Sequence, residues 1–101
     1  MRPRSSLKWD TEQVNESGAT EKFSKRGPWI ISSRGFRVRA LGRAGMEYVE
    51  ADISLHVDSE AMATQAFVVY PQSLPTDSRI QIIDNLTRAW RSSGFDIQVQ
   101  E

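Results

Sequence analysis

The sequence predicts an α+β fold: a mostly antiparallel sheet of about five strands, with one amphipathic C-terminal helix packed on one of its faces. Three patterns predict this fold. Apolar and polar residues alternate from residue 48 to residue 58, apolar residues run without a break from residue 66 to residue 70, and apolar residues recur every three or four positions from residue 80 to residue 90. Strands joined by short turns and followed by a late helix are typical of this class.

The first 28 residues differ from the rest and predict a flexible or loosely docked N-terminal arm, ahead of a single α+β domain over residues 29–101. The arm is polar and mixed in charge, with few large apolar side chains. Such a segment buries too little apolar surface to fold by itself. Trp9 and Phe23 are the side chains that we expect to hold it against the domain.

The first strands of the domain are predicted at residues 29–31 and 36–40. In the second strand the apolar residues occupy even positions and share one face, while Arg37 and Arg39 share the other. The Gly-Arg-Ala-Gly segment at 42–45 supplies the glycines that a tight hairpin requires. We therefore expect the next strand to pair with residues 36–40.

The clearest alternation predicts one long strand over residues 48–58, with one buried and one solvated face. The odd positions carry apolar side chains and form the buried face: Val49, Ala51, Ile53, Leu55 and Val57. The even positions form the solvated face: Tyr48, Glu50, Asp52, Ser54, His56 and Asp58. With Arg37 and Arg39 they make a polar sheet surface on the side away from the helix, where we expect the functional residues.

Residues 66–70 have high β propensity and no alternation, which indicates an interior strand buried on both faces. The helix that follows is predicted to begin at a cap formed by Thr76 or Asp77 and to end at Gly94. Its apolar face is expected to comprise Ile80, Ile83, Leu86 and Trp90. A final alternating strand is predicted at residues 95–99.

Composition excludes several classes of function. The chain has no cysteine, so thiol chemistry, disulfides and cysteine-bound zinc are all excluded. No apolar run approaches the roughly 20 residues that span a bilayer, and the basic N-terminus is not followed by the apolar segment of a secretory signal. We therefore expect a cytoplasmic protein with no membrane contact, no cofactor and no small-molecule substrate.

Catalytic side chains are scarce, and we expect that this protein is not an enzyme. His56 is the single histidine. Its neighbours Ser54 and Asp58 would follow one another along a strand at a spacing of about 7 Å, too far for a hydrogen-bonded relay. Glu50 and Asp52 share the same predicted face, but a hard cation needs further oxygen ligands. No metal site is predicted, because surface carboxylates paired with nearby arginines are the commoner arrangement.

Charge is distributed unevenly although the net charge is zero. Residues 22–43 carry seven basic residues and no acidic one, whereas residues 44–78 carry six acidic residues and no lysine or arginine. Either block can steer a charged partner. Alternatively, neighbouring strands of opposite charge pair with each other across the sheet. The pattern is compatible with both interpretations.

Two candidate binding surfaces follow from these blocks. An acidic surface would complement a basic protein, because opposite charge speeds and orients such encounters. Its candidate residues are Glu47, Tyr48, Glu50, Asp52, Asp58 and Glu60. A basic strand face would instead suit a small nucleic-acid-binding or regulatory module. Its candidate residues are Arg34, Arg37, Arg39 and Arg43. The neighbouring acids and a pI of about 6.6 argue against nucleic acid as the ligand.

A family resemblance is carried by three segments: Trp29-Ile-Ile, Gly35-Phe-Arg-Val-Arg and Gly45-Met-Glu-Tyr-Val-Glu. They resemble a family of small bacterial immunity proteins from contact-dependent inhibition and related polymorphic toxin systems. The Phe67-Val-Val-Tyr70 strand and the closing helix fit the same pattern. The resemblance implies an antidote that binds its cognate toxin domain, frequently a nuclease with a basic cleft, in the cytoplasm. The acidic block would then occlude that cleft, with Tyr48 as an aromatic anchor.

Overall fold

A computed structural model describes residues 11–14 and 20–101 of the chain and shows one continuous sheet and one α-helix, an α+β architecture. The strands of the described part are β1 (Thr11–Val14), β2 (Thr20–Arg26), β3 (Trp29–Ser32), β4 (Phe36–Ala40), β5 (Ala44–Glu50), β6 (Ile53–Met62), β7 (Ala66–Val69) and β8 (Asp96–Val99). The helix, α1, spans Arg79–Ser92. Two 3-10 turns, Pro71–Ser73 and Thr76–Ser78, lead from β7 into α1.

The strands lie in the sheet in the order in which they follow one another along the chain. Each neighbouring pair from β1 to β7 is antiparallel, whereas β8 runs parallel to β7 after the crossover through α1. The helix contacts strands at both ends of the sheet, β1 and β8, so the sheet curls around it. The prediction of about five strands was therefore too low, and the sheet is mixed.

The additional strands come largely from the segment predicted to be an arm. β2 pairs along its length with β3, in a register that sets Phe23 opposite Ser32 and Arg26 opposite Trp29. Phe23 and Glu21 are both fully buried. The predicted domain boundary at residue 28 thus falls in the tight turn between two paired strands. Trp9, the other predicted contact of the arm, lies outside the described residues.

The predicted long strand over residues 48–58 is a hairpin in the structure. β5 ends at Glu50, Ala51 and Asp52 form the turn, and β6 begins at Ile53. Ala51 makes the reversal with a positive φ of 55°. Sequence reasoning missed this turn because alanine and aspartate continue the alternating pattern and supply no glycine to mark the reversal.

The hairpin also changes which residues face the core. Directly opposed residues of an antiparallel pair point to the same face, and Tyr48 lies opposite Leu55. Even positions of β5 therefore share a face with odd positions of β6. Met46, Tyr48 and Val57 are buried together. The prediction that all even positions from 48 to 58 are solvated is correct for β6 and wrong for Tyr48.

The core lies between the concave face of the sheet and α1. It includes Phe36, Val38, Met46, Tyr48, Val57, Phe67 and Val69 from the sheet, and Ile82, Leu86, Ala89 and Trp90 from the helix. The rings of Phe67, Trp90 and Phe95 form one aromatic cluster, with centroids 4.6 to 5.7 Å apart. The inner stripe of the helix is centred on Leu86 and not on the predicted line from Ile80, whose side chain is 86% exposed.

The prediction for the C-terminus of α1 is confirmed, whereas the predicted N-terminal cap is wrong. At the C-terminus Gly94 has a φ of 87°, and the Phe95 amide donates to the Trp90 carbonyl, as a glycine-terminated helix requires. At the N-terminus the predicted caps are absent: Thr76 and Asp77 belong to a 3-10 turn, and Ser78 occupies the cap position without a side-chain hydrogen bond. The 3-10 turn replaces a side-chain cap by satisfying backbone groups locally.

Candidate protein-binding face

The convex side of the sheet, which α1 does not cover, carries a band of charged and aromatic side chains. We call this side the outer face. Its central residues alternate with the buried ones along each strand: Trp29 and Ile31 in β3, Arg37 and Arg39 in β4, Glu47 and Val49 in β5, and Ser54, His56, Asp58 and Glu60 in β6. The prediction that this side holds the polar residues is confirmed for β4 and β6.

The basic end of the outer face is built around an indole ring. The guanidinium carbons of Arg37 and Arg39 lie 4.7 and 4.9 Å from the centroid of the Trp29 ring. Cations at this distance from an indole are attracted by its quadrupole. Two like charges are therefore held side by side on β4, with Trp29 half-buried beneath them.

Arg39 is also the point at which the basic and acidic blocks meet. Its guanidinium forms an ion pair with Glu47 on β5, with a shortest contact of 2.7 Å. Ser54 on β6 donates to the other oxygen of the same carboxylate at 2.9 Å. The hydrogen bond from Arg39, assisted by that from Ser54, lowers the pKa of Glu47. The expected pairing of opposite charges between neighbouring strands is thus observed between Arg39 and Glu47.

His56 lies over a glycine further along the outer face. A Cβ at Gly45 would be only 2.8 Å from His56 Nε2, so the imidazole occupies the space that another residue type would fill. Its Nδ1 faces Asp58 Oδ1 at 3.4 Å, and both side chains are more than half exposed. The pair is a solvated contact on the protein surface, as the sequence predicted for His56.

Glu60 and Tyr70 form the acidic end of the outer face. The Tyr70 hydroxyl donates to Glu60 Oε1 at 2.8 Å. This hydrogen bond to the carboxylate raises the pKa of Tyr70. With Asp58 on the same strand, the end of the face formed by β6 carries two exposed carboxylates beside the half-buried side chain of Tyr70.

The remaining predicted acidic residues lie elsewhere. Tyr48 is 1% exposed, so it is not available as an aromatic anchor. Its hydroxyl donates to Glu50 Oε1 at 2.6 Å and accepts from Asn85 Nδ2 at 2.8 Å. Burial, aided by the hydrogen bond to Glu50, raises the pKa of Tyr48. Glu50 belongs to the concave side, and Asp52 is exposed in the hairpin turn.

The four predicted basic residues are also divided. Arg37 and Arg39 lie together on the outer face, whereas Arg34 and Arg43 are exposed in the turns before and after β4. Those two turns are at opposite ends of the strand. The predicted basic face therefore reduces to two arginines and Trp29.

A buried polar network was not predicted at all. Glu21 Oε1 accepts from Arg88 Nε at 2.5 Å, and its other oxygen accepts from Ser32. Arg88 also contacts Asp84 and Asn85, and Asn85 reaches Tyr48. No local pattern could reveal it, because Glu21 and Arg88 are 67 positions apart.

Comparisons with known proteins find no match to this chain. A scan against protein-family models matches no family, and neither the curated proteins nor the solved structures yield a match. Within the described residues there is no group of three or more histidine or acidic side chains arranged to hold a metal ion. The one helix seen there, 14 residues long, is too short to cross a membrane.

Proposed function

We propose that this protein is an immunity protein, which binds a cognate toxin domain through the outer face and neutralises it by covering its active cleft. The toxin is a nuclease domain, and the antidote performs no chemistry itself. The observation that carries the proposal is the outer face, a broad side of the sheet that the helix leaves open, with polar side chains held in defined positions. The resemblance of residues 29–100 to immunity proteins supports the same conclusion.

The charges of the face suit a nuclease as partner. Nuclease clefts are basic because they hold phosphates. Asp58 and Glu60 are exposed carboxylates on one strand, and neither forms an ion pair with a lysine or arginine of residues 21–101. Glu47 is different because Arg39 neutralises it. The acidic contact is therefore narrower than the one predicted from sequence and is centred on β6.

Several side chains of the outer face are held by hydrogen bonds, which favours tight binding of a partner. Glu60 is held by Tyr70, and Glu47 is held by Arg39 and Ser54. A side chain that is already fixed loses less rotamer entropy when a partner docks. Complementary charge on such a surface raises the association rate and fixes the orientation of the partner.

A nucleic-acid-binding module remains the second candidate, because two guanidinium groups rest against an indole ring on one strand. The same geometry argues against it. Arg39 is neutralised by Glu47 at 2.7 Å, and the carboxylates of Asp58 and Glu60 share the face. A phosphate chain crossing the sheet would meet these negative charges after the two arginines.

Co-expression with the toxin domain encoded next to this chain tests the proposal. We expect wild-type protein to rescue growth and to co-purify with the toxin in one-to-one ratio at moderate salt. The variant Asp58→Lys/Glu60→Lys should bind at least about 30-fold more weakly, because charge repulsion replaces attraction at the interface.

A matched control separates this effect from a change in net charge. The variant Asp52→Lys/Asp77→Lys makes the same charge change at two exposed carboxylates outside the outer face, one in the turn between β5 and β6 and one in the 3-10 turn before α1. It should retain full rescue and near-wild-type affinity. Equal affinity of both double variants would remove the outer face as the binding site, and absence of any complex with wild-type protein would refute the immunity function.

A further inference from the structure

Arg37 rests against an aromatic ring, and Glu47 attracts it only from beyond ion-pair distance. Its guanidinium rests on the Trp29 ring at 4.7 Å, yet it forms no ion pair with any carboxylate of residues 21–101. Arg39, two positions away on the same strand, is bound to Glu47. The side chain of Arg37 is exposed to solvent. The structure thus presents an exposed guanidinium, stacked on an indole ring, on the open side of the sheet.

The immediate neighbours of Arg37 are apolar. Ile31 on β3 and Val49 on β5 are its directly opposed residues, and both are partly exposed on the outer face. Directly opposed side chains on one face lie about 5 Å apart. A partner that docks here also covers these two aliphatic side chains and the indole, so it removes water from around a charge-assisted hydrogen bond to Arg37 and strengthens that bond.

We propose that Arg37 and Trp29 form a recognition site for a carboxylate side chain of the toxin, and that the apolar residues beside that carboxylate pack on Ile31 and Val49. This inference rests on the proposed function and specifies the chemistry of one contact. A guanidinium offers two parallel N–H donors that match the two oxygens of a carboxylate. The ring beneath it limits its rotation, so less entropy is lost when the ligand binds.

The geometry favours a protein carboxylate over a phosphate chain. A nucleic-acid backbone is bound by several cations along its length, whereas on β4 only Arg37 has no carboxylate of residues 21–101 within ion-pair distance. The carboxylates of Asp58 and Glu60 lie two strands away on β6 and also further along that strand, because Arg37 is level with Val49 and Ser54. The face therefore has a positive and a negative end, and a partner with the opposite arrangement can dock in only one orientation.

Isothermal titration of the toxin domain into full-length variants tests the contact. We expect Arg37→Glu to weaken binding at least about 30-fold and Arg37→Lys to weaken it about tenfold, because lysine loses the planar pair of donors. Arg34→Glu is the matched control, since it reverses an exposed charge in the turn before β4, and its affinity should stay within about threefold of wild type. An unchanged affinity for Arg37→Glu beside intact wild-type binding would overturn the inference and leave the immunity function standing.

Reversing the charge on both sides of the interface identifies the toxin residue that contacts Arg37. Each surface aspartate and glutamate of the toxin domain is changed to lysine in turn and assayed against Arg37→Glu. One substitution should recover at least about tenfold of the lost affinity, as expected for a direct contact in a double-mutant cycle. Recovery spread evenly over all toxin variants would indicate a net-charge effect and would contradict a specific site.

A third measurement does not depend on the toxin. Full-length protein is used to select from a displayed library of random 12-residue peptides, with counter-selection on Arg37→Glu. Enrichment of aspartate or glutamate next to apolar residues supports the site even when wild-type protein fails to bind the toxin, which would refute the immunity function alone. Absence of acidic enrichment overturns the site. Binding of a labelled 12-nucleotide oligouridylate to wild-type protein, lost in Arg37→Glu, would also overturn it in favour of nucleic acid.

Discussion

Glu21 and Arg88 form a buried ion pair that joins the second strand to the helix, with Arg88 Nε 2.5 Å from Glu21 Oε1. Glu21 has no exposed surface, and the side chain of Arg88 is 12% exposed. Ser32 donates to the second oxygen of Glu21, so both oxygens of the carboxylate have partners. A buried charge of this kind is tolerated only because its partners are in place.

Loss of one partner should therefore be costly. Arg88→Met leaves the Glu21 carboxylate buried without its counter-ion, and we expect it to reduce the free energy of unfolding by about 3 to 5 kcal/mol. Urea denaturation followed by circular dichroism measures this loss. The double variant Glu21→Leu/Arg88→Met removes both charges and should recover much of it. A single variant as stable as wild type would show that the pair is not desolvated in solution.

Tyr48 should matter for stability and not for partner binding. Tyr48→Phe removes a hydroxyl that donates to Glu50 and accepts from Asn85, and we expect a loss of about 1 to 2 kcal/mol in the free energy of unfolding. Affinity for the toxin should stay within about twofold, because the residue is buried. Tyr70→Phe is the matched control, since it removes an exposed hydroxyl and should cost less than about 0.5 kcal/mol. A large loss of affinity in a folded Tyr48→Phe would restore this residue as an anchor.

Alkaline pH should destabilise the fold through the same tyrosine. Burial raises the pKa of Tyr48 above its ordinary value of 10.0, so the folded protein keeps a proton that the unfolded chain loses. The contribution of Tyr48 to the free energy of unfolding is therefore at its full value below about pH 10. It falls as the pH rises further, with a limiting slope of about 1.4 kcal/mol per pH unit. Urea midpoints between pH 8 and pH 11 measure the slope. Tyr48→Phe should flatten it, and an identical slope in that variant would contradict the assignment.

Gly45 should resist substitution more strongly than another glycine with the same backbone conformation. Gly45 and Gly42 have φ values of 88° and 93°, but only at Gly45 would a Cβ meet another residue, His56. Gly42→Ala should cost about 1 kcal/mol from backbone strain alone, and Gly45→Ala should cost about 0.5 kcal/mol more because the exposed imidazole of His56 has to rotate away. Thermal unfolding measures both. In a His56→Ala background the difference should disappear, and its persistence would point to a cause other than the imidazole.

Where the sequence predicted the fold correctly, a local pattern was sufficient. The alternation over 36–40, the apolar run at 66–70 and the glycine at position 94 each depend on neighbours within a few residues. The structure places strands β4 and β7 and the end of α1 at these positions. The class of the fold and the polar character of the outer face follow from them.

The candidate site was predicted in part, and its errors share one cause. Tyr48 and Asp58 lie on opposite faces because the chain reverses at Ala51 and Asp52, which carry no turn signature. After such a reversal, the even-numbered residues point to the opposite face of the sheet from those before it. The sequence pattern could therefore group charged residues but could not assign all of them to one surface.

By itself, the sequence determined the α+β class, the helix and the strands whose periodicity is unbroken, because propensity and burial pattern act over a few residues. Only the tertiary structure decided that β2 belongs to the sheet, that Tyr48 is buried, that Glu21 meets Arg88 and that Arg37 stacks on Trp29. Each of these depends on a partner brought close by the curvature of the sheet or the packing of the helix. Contacts between residues far apart in the chain leave no local periodicity, so the folded geometry alone defines them.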